Sequence, residues 1–354
     1  MSTVPRIRLS IKEYELIQKL RGSDAESEER HLALEKYCEE NQVPIENVNH
    51  YWFKGRNFSL HVKNDADKMT YMDMRDDIVS HMMAHAPNYR KITRQNDRSV
   101  GDNHLLVVDP ADIHVGKLAL SFETGADYNQ EIAVGRTIEG THGIINKASG
   151  FYLNKVSLII GNDILHTDTP RRSTTSGTPQ DTDGMWYENF LKAKKLYVEV
   201  IETLLTVADV HIVFNPSNHD YMSGFFLADS IYSWFSKCPN VTFDVSISHR
   251  KYFRYGNNLI GSTHGDSGKE GNLPLLMAHE SPDWSNCKHK YFYTHHLHHN
   301  KSKDYMGVNV TTLRSPSEAD GWHSREHWIH APKAIEGFIH HEQFGRVASL
   351  SHIF

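Results

Sequence analysis

The chain has 354 residues, of which 39% are hydrophobic and 23% charged, a composition typical of a globular protein rather than a disordered or fibrous one. The formal net charge of −6 excludes a polycation, so any nucleic-acid binding must come from local basic patches or from metals that face the phosphates. The three cysteines are scattered and form no CxxC pair, and no apolar run is long enough to span a bilayer, which predicts a protein of a reducing compartment, the cytoplasm, without a membrane segment.

The first 62 residues predict a small helical domain. Apolar positions indicate one helix at Leu9, Ile11, Leu16, Ile17 and Leu20, and a second at Leu32, Leu34, Tyr37 and Cys38. The second helix ends before Pro44, because a proline disfavours the α region for the residue that precedes it. The segment Ile45–Trp52, followed by Lys54, Arg56 and Lys63, completes the outline of a helix-turn-helix. DNA binding, protein docking and a purely structural role all stay open for this domain.

Residues 63–103 predict a linker with a Met-rich helix at 69–85 and a basic stretch from Asn88 to Arg98. From residue 104 to the end the pattern predicts a single α/β domain. Short β-branched runs at 105–109, 156–161, 210–215, 258–263 and 290–294 alternate with helical stretches at about 128–149, 184–208 and 222–237. Such βαβ units bury both faces of a sheet, and their ligands gather beyond the carboxyl ends of the strands.

Each of the five predicted strands is followed by a group of potential metal ligands. In order, these groups are Asp112-Ile113-His114, Asn162-Asp163 with His166, Ser217-Asn218-His219-Asp220, His264-Gly265-Asp266 and the run His295–His299. One such group after a strand carries little weight, since a single histidine there is usually a surface residue. Five such groups in order are hard to obtain by accident. The 25 histidines of the chain also favour a metal site, because imidazole is the commonest metal ligand among side chains.

This order resembles the calcineurin-like metallophosphoesterases, whose motifs run DxH, GD, GNH[DE], an isolated His and GHxH. The resemblance covers residues 104–300 and implies a four-layer αββα sandwich. The segments ADIHVGK and IIGNDILHTDTP are most similar to the nuclease subunits of double-strand-break-repair complexes. The text from NHDYMSGFF onward is also similar to phosphoesterases common in bacteriophage genomes, which would place the protein in the host cytoplasm.

The resemblance implies two divalent ions that share one carboxylate. The first would be bound by Asp112, His114, Asp163 and His298, and the second by Asp163, Asn218, His264 and His296. A shared anionic ligand offsets the repulsion between two close ions, and mixed nitrogen and oxygen ligation favours Mn, Fe or Zn over Mg or Ca. Manganese is the expected metal, and a metal-bridging hydroxide is the implied nucleophile.

Three further residues carry implied catalytic roles. His219 would protonate the leaving oxygen or steady the phosphate, Asp220 would orient His219, and His166 would orient the substrate phosphate. The chain departs from the family pattern at two positions, since Ser217 and His295 occupy the places of glycines. We interpret these departures as adjustments of the turns, with a degenerate, inactive site as the alternative.

Basic side chains near the predicted site are candidates for substrate binding. The turn-rich insert Thr167–Gly184 follows the ligand Asp163 and contains Arg171 and Arg172, which either contact DNA phosphates or form a solvated pair. The segment Arg314-Ser315-Pro316-Ser317, after the run GVNVTTL, is a further candidate for lining the site, with Arg314 as its cation.

The sequence therefore predicts a two-metal phosphodiester hydrolase that acts on DNA as an exo- or endonuclease. A phosphatase or a cyclic-nucleotide phosphodiesterase is the alternative within the same chemistry, and a silent DNA-binding or scaffold protein is the alternative outside it. DNA, an ATPase subunit and a second copy of the chain are the partners that the resemblance suggests.

Overall fold

The structure, a computed structural model, describes residues 34–40, 50–54, 59–63, 76, 79–80, 82–94, 102–321 and 331–354. The chain divides into two compact units, Met1–Asp76 and Asp77–Phe354. Within the described residues no helix is long and apolar enough to cross a membrane.

The described part of the first unit contains a short helix and a β-hairpin. Residues 34–40 are helical, as the sequence predicts, whereas the first predicted helix lies outside the described residues. Strands β1 (His50–Lys54) and β2 (Ser59–Lys63) pair antiparallel, with Tyr51 opposite Val62. The helix-turn-helix interpretation is therefore wrong at Ile45–Trp52, whose last three residues belong to a strand. Consecutive aromatic residues at 51–53 favour a pleated strand over a helix. The side chains of Lys54, Arg56 and Lys63 lie outside the described residues.

The second unit alternates strands and helices as predicted. Its strands are β3 (His104–Asp109), β4 (Leu153–Gly161), β5 (Asp209–Asn215), β6 (Val241–Asp244), β7 (Lys251–Tyr255), β8 (Asn258–Thr263), β9 (His289–Thr294), β10 (Lys301–Tyr305), β11 (Val308–Thr312), β12 (Ala334–His341) and β13 (Gly345–Ile353). Its helices are α1 (Ser121–Thr124), α2 (Gln130–Lys147), α3 (Trp186–Leu205), α4 (Tyr221–Trp234) and α5 (Leu273–Glu280). Residues 79–80 and 82–84, inside the predicted Met-rich helix, are also helical.

These strands form two mixed sheets. The first has the order β13-β12-β3-β4-β5-β6, in which β3 to β6 are parallel and β12 is antiparallel to both of its neighbours. The second has the order β10-β11-β9-β8-β7, with β11, β9 and β8 parallel. Parallel strands direct their carboxyl ends to one edge, so the groups that follow β3, β4, β5, β8 and β9 are brought to a common end of the unit.

Alternation along β3 separates the layers of the core. Leu105 and Val107 pack between the sheets with Tyr293 and Phe338, whereas Leu106 and Val108 face the layer of α2, α3 and α4. Helix α5 supplies Leu273 and Met277 to a third cluster, on the outer face of the second sheet, that includes Leu259, Phe292 and Val310. The predicted four-layer αββα sandwich is confirmed.

Candidate metal centre

Six of the seven predicted metal ligands form two clusters of carboxylates and imidazoles. One cluster contains Asp112, His114 and His298, the other contains Asp163, His264 and His296, and in each the candidate ligand atoms lie within 4.8 Å of one another. Asn218, the seventh, lies against the second cluster, with its Oδ1 2.8 Å from Nε2 of His264. The structure thus brings together side chains that are up to 186 residues apart in the sequence.

Asp163 lies between the two clusters. Its Oδ2 is 3.2 Å from Nε2 of His264 and 4.0 Å from Nε2 of His114, which belong to different clusters. Its Oδ1 accepts a hydrogen bond of 3.0 Å from the backbone N–H of His219, which fixes the carboxylate plane. This is the position that a carboxylate shared by two ions requires.

The backbone of the ligand-bearing loops is strained. Eight non-glycine residues of the described part have positive φ, and five of them are predicted ligands: Asp112, His114, Asp163, His296 and His298. A non-glycine residue in the left-handed region costs about 1–3 kcal/mol and persists only where its surroundings impose it, so strain of this kind concentrates at functional sites. Here it directs side chains from neighbouring strand ends toward the same space.

The first cluster contains a close contact between two imidazole nitrogens, both of which could bind one cation. Nε2 of His114 lies 3.4 Å from Nε2 of His298, and its Nδ1 lies 3.3 Å from Nδ1 of His166. Burial, together with the neighbouring His219 and Lys117, holds the pKa of His114 well below its usual range. A neutral ring that donates from Nδ1 to His166 directs the lone pair of Nε2 toward His298 and Asp163. The donor set therefore fits a divalent ion.

In the second cluster the pKa of a histidine is raised, whereas in the first it is lowered. Burial opposes a charge on His264, but the Asp163 carboxylate outweighs it and raises the pKa of His264 to about 9. Burial likewise opposes a charge on Asp163, yet His264 and His219 lower the pKa of that carboxyl. Burial lowers the pKa of His296. The raised pKa favours a protonated His264, which pairs with the Asp163 carboxylate at 3.2 Å.

His219 and His166 lie beside the first cluster. The ring of His219 is 4.7 Å from that of His114 and stacks on that of His166 at 5.2 Å. Nδ1 of His219 lies 2.9 Å from the carbonyl oxygen of His166, so this nitrogen donates and Nε2 is left for other partners.

The predicted contact between Asp220 and His219 is replaced by a different network. The two carboxylate oxygens of Asp220 accept from Oγ of Ser217, at 2.6 Å, and from the backbone N–H of Leu165, at 2.9 Å. Oγ of Ser217 in turn accepts from the N–H of Asp163 at 2.7 Å. Adjacency in the sequence misled the prediction, because the ring of His219 and the carboxylate of Asp220 have separate partners. Ser217, in the family's glycine position, connects two ligand loops.

His295, the second residue that stands where the resembled pattern has a glycine, also makes a polar contact. His295 is buried, and its Nε2 lies 3.0 Å from both carboxylate oxygens of Asp109, which is buried as well. Its φ is outside the left-handed region, so the backbone at this position does not require a glycine.

The predicted substrate-binding arginines differ in their environments. Arg171 and Arg172 are exposed, and within the described residues neither pairs with a carboxylate. Their insert is anchored beside the site, because the N–H of Thr175 donates to the carbonyl of Asn218 at 3.2 Å. Arg314 is instead engaged with buried Glu336, which accepts from its Nη1 at 2.6 Å and from its backbone N–H at 3.1 Å.

Two further buried polar residues lie at the site: Lys117, which was not predicted, and Ser315, which belongs to a segment predicted to line it. Lys117 is fully buried, and its Nζ lies 3.1 Å from Oδ2 of Asp320; burial lowers the pKa of this lysine. Ser315 donates from Oγ to the carbonyl of Asp112 at 2.6 Å. A lysine directly after the DxHxG segment was the available signal for the first, and the polar segment after the run GVNVTTL was the signal for the second.

Another group of ligand-type side chains, away from this centre, has the wrong donor set for a metal. Nδ1 of His341 accepts from the N–H groups of Gln343 and Phe344, at 3.0 and 3.3 Å, so a neutral ring carries its hydrogen on Nε2. His341 then has no lone pair to share with His104 and Asp102, the other members of the group. Nδ1 of His104 lies 3.1 Å from the carbonyl oxygen of Asp102, and the rings of His104 and His341 pack edge to face at 4.9 Å.

No family model and no curated protein matches the chain. Among solved structures, it matches a novel archaeal phosphodiesterase at 9% identity and a TM-score of 0.36, over 71% of this chain and 99% of the other. It also matches Vps29 of Entamoeba histolytica complexed with zinc, at 11% identity and a TM-score of 0.29, over 70% of this chain and 98% of the other. A predicted phosphoesterase of Streptococcus pneumoniae matches at 10% identity and a TM-score of 0.29, over 71% and 98% of the two chains.

Proposed function

We propose that the chain is a two-metal phosphodiester hydrolase of the calcineurin-like type and that its substrate is DNA. The observation that carries this proposal is the position of Asp163, which faces His114 of one ligand cluster and His264 of the other. The strand-end motifs supply the rest of the argument, because they follow the order of the family that the sequence resembles.

The donor set fits two ions of the Mn, Fe or Zn type. Asp112, His114 and His298 would hold one ion, Asn218, His264 and His296 would hold the other, and Asp163 would bridge them. Ions bound there would activate the attacking water and offset the charge that develops on the phosphate. Manganese is our first choice among these metals.

His219 is placed to protonate the leaving oxygen. Its Nδ1 is held by the carbonyl of His166, and its backbone N–H is held by Asp163, so the ring has a fixed orientation with Nε2 unengaged by either contact. The leaving alkoxide of DNA is a strong base, and a positioned proton donor accelerates its departure. His166, stacked on His219, supplies a second imidazole that can orient the phosphate.

DNA as the substrate is supported by the insert Thr167–Gly184. It is anchored at Asn218 and carries Arg171 and Arg172 in exposed positions, where cations can reach phosphates that flank the scissile one. A small phosphoester has no flanking phosphates, so these side chains support DNA over a small phosphoester.

A phosphatase or cyclic-nucleotide phosphodiesterase is the second candidate. One observation favours it: the guanidinium of Arg314 is paired with Glu336, which removes one of the three predicted substrate cations from reach of a long polyanion. The net charge of −6 points in the same direction.

An activity panel with Mn²⁺ tests the proposal. We expect hydrolysis of single- or double-stranded DNA and of a bis-aryl phosphodiester, with little turnover of a phosphomonoester, RNA or a cyclic nucleotide. Asp163→Asn should abolish every activity, whereas the control Asp283→Asn, which removes a half-buried carboxylate paired with Arg254, should change none. Replacing Arg171 and Arg172 with alanine should weaken DNA binding, lower its salt dependence and spare the bis-aryl substrate. Turnover of monoesters or cyclic nucleotides alone would favour the second candidate.

A further inference from the structure

A buried aspartate and a buried histidine are in contact next to the ligand-bearing loops. Asp109 is the last residue of β3, and His295 is the first residue after β9. Both are fully buried or nearly so, and Nε2 of His295 lies 3.0 Å from each oxygen of the Asp109 carboxylate. The contact joins strands of different sheets, since β3 belongs to the first and β9 to the second.

The second ring nitrogen of His295 extends the contact to a third strand. Nδ1 lies 2.9 Å from the carbonyl oxygen of Thr263, the last residue of β8. A carbonyl can only accept, so Nδ1 donates to Thr263 while Nε2 faces the carboxylate of Asp109. Two hydrogen bonds in different directions fix the plane of the imidazole and, through it, the relative positions of three strand ends.

Each of these strand ends continues into predicted metal ligands. Asp109 precedes Asp112 by three residues, Thr263 directly precedes His264, and His295 directly precedes His296. Backbone hydrogen bonds connect the same loops. The N–H of His295 donates to the carbonyl of His264 at 2.8 Å. The N–H of His296 donates to both oxygens of the Asp112 carboxylate, at 3.2 and 3.1 Å.

We propose that Asp109 and His295 are positioning residues of the metal centre, an inference that rests on the proposed two-metal function. The pair holds the loops of Asp112, His264 and His296 in register before metal binds. It thereby maintains a ligand loop in which His296 and His298 have positive φ. Residues that orient metal ligands in this way typically contribute about 10–100-fold to metal affinity.

The same contact explains a departure from the family pattern. A histidine in place of the glycine of GHxH introduces a large buried side chain next to the ligand-bearing loops, and burying it without partners would be costly. Asp109 and the carbonyl of Thr263 provide those partners on both sides of the ring. The substitution therefore adds a connection between loops rather than leaving a defect in the turn.

The experiment compares Mn²⁺ affinity and thermal unfolding in metal-free protein. The variants are Asp109→Asn and His295→Gln, which keep polar groups of similar size, and the double variant. The matched control is His340→Gln, because His340 is also buried and bonds Tyr293 at 2.8 Å between the sheets, but it lies on no ligand loop. Affinity is measured by calorimetric titration of the full chain, after chelation, with Mn²⁺ alone.

We expect each single variant to lose about 10–100-fold in Mn²⁺ affinity and the double variant to lose no more than the worse single one, because both act through one contact. His340→Gln should lower the unfolding temperature and leave the affinity unchanged. Wild-type affinity in a folded Asp109→Asn variant, or an equal loss of affinity in His340→Gln, would overturn the positioning role. If wild-type protein binds no divalent ion, the proposed function fails and this inference fails with it, a result visible without any variant.

Discussion

Metal binding is expected to release a proton from His264. In the metal-free site Nε2 of this histidine faces two acceptors, Oδ2 of Asp163 at 3.2 Å and Oδ1 of Asn218 at 2.8 Å, so it carries a hydrogen. A bound ion needs the lone pair of the same nitrogen. Because the Asp163 carboxylate overcomes the effect of burial and raises the pKa of His264 to about 9, the ring is charged at neutral pH and one proton must leave.

The size and sign of the effect follow from that pKa. Protons compete with the ion, so affinity should fall as pH falls below 9, by about tenfold for each unit. Between pH 9 and pH 7 the second ion should therefore lose about 100-fold in affinity. The carboxylates add nothing to this dependence, since the pKa values of Asp112 and Asp163 are lowered.

Calorimetric titration with Mn²⁺ in buffers of different ionisation heat counts the released protons. At pH 7 we expect the wild-type protein to release about one proton more than the His264→Asn variant, in which this group is absent. The variant keeps the first cluster, Asp112, His114 and His298, so protons released there are common to both proteins and cancel in the comparison. Equal release from the two proteins, or an affinity that does not change between pH 7 and pH 9, would refute the reasoning.

Three further outcomes are expected. His219→Asn should retain both metals and lower kcat on DNA by about 100-fold, with a smaller loss on a p-nitrophenyl diester, whose leaving group needs no proton; an equal loss on both substrates would mean that His219 holds the phosphate instead. Ser217→Gly should lower the free energy of unfolding of the metal-free protein by about 1–3 kcal/mol in chemical denaturation, because Asp163 N–H and buried Asp220 lose a partner; unchanged stability would contradict the network. Burial lowers the pKa of His211 to about 4, so the neutral ring stabilises the fold above pH 6.5 and this contribution is lost as pH falls toward 4. Between pH 7 and pH 4.5, the free energy of unfolding measured by chemical denaturation should fall by about 2–3 kcal/mol less for His211→Gln than for wild type. An identical decrease in the two proteins would show that His211 is not the source of the effect.

The catalytic unit could be predicted from sequence where local pattern and strand order suffice. The runs that became β3, β4, β5, β8 and β9 are short and rich in β-branched or aromatic residues, and each is followed within three residues by a potential metal ligand. Strand β12 was not predicted, because AIEGFIHH mixes apolar and polar residues although every one of its positions is buried. Its Glu336 and His340 are buried with partners, Arg314 and Tyr293, that lie on the other sheet or just beyond it.

The contacts behind the ligands could not be predicted. Asp109 and His295 are 186 residues apart, and only the packing of the two sheets brings them together. The contact between Asp220 and His219 was mispredicted because the two adjacent side chains have different partners, the carbonyl of His166 for His219 and Ser217 for Asp220. Sequence order identifies which residues reach the site, whereas the partner of each side chain depends on the three-dimensional arrangement.

The most direct test of the two-metal assignment is a crystal structure of the protein with Mn²⁺, phased on the anomalous signal of the metal. We predict two peaks about 3.5–4 Å apart with the Asp163 carboxylate between them. Asp112, His114 and His298 should surround one peak, and Asn218, His264 and His296 the other. A single peak, or two peaks that Asp163 does not bridge, would contradict the account.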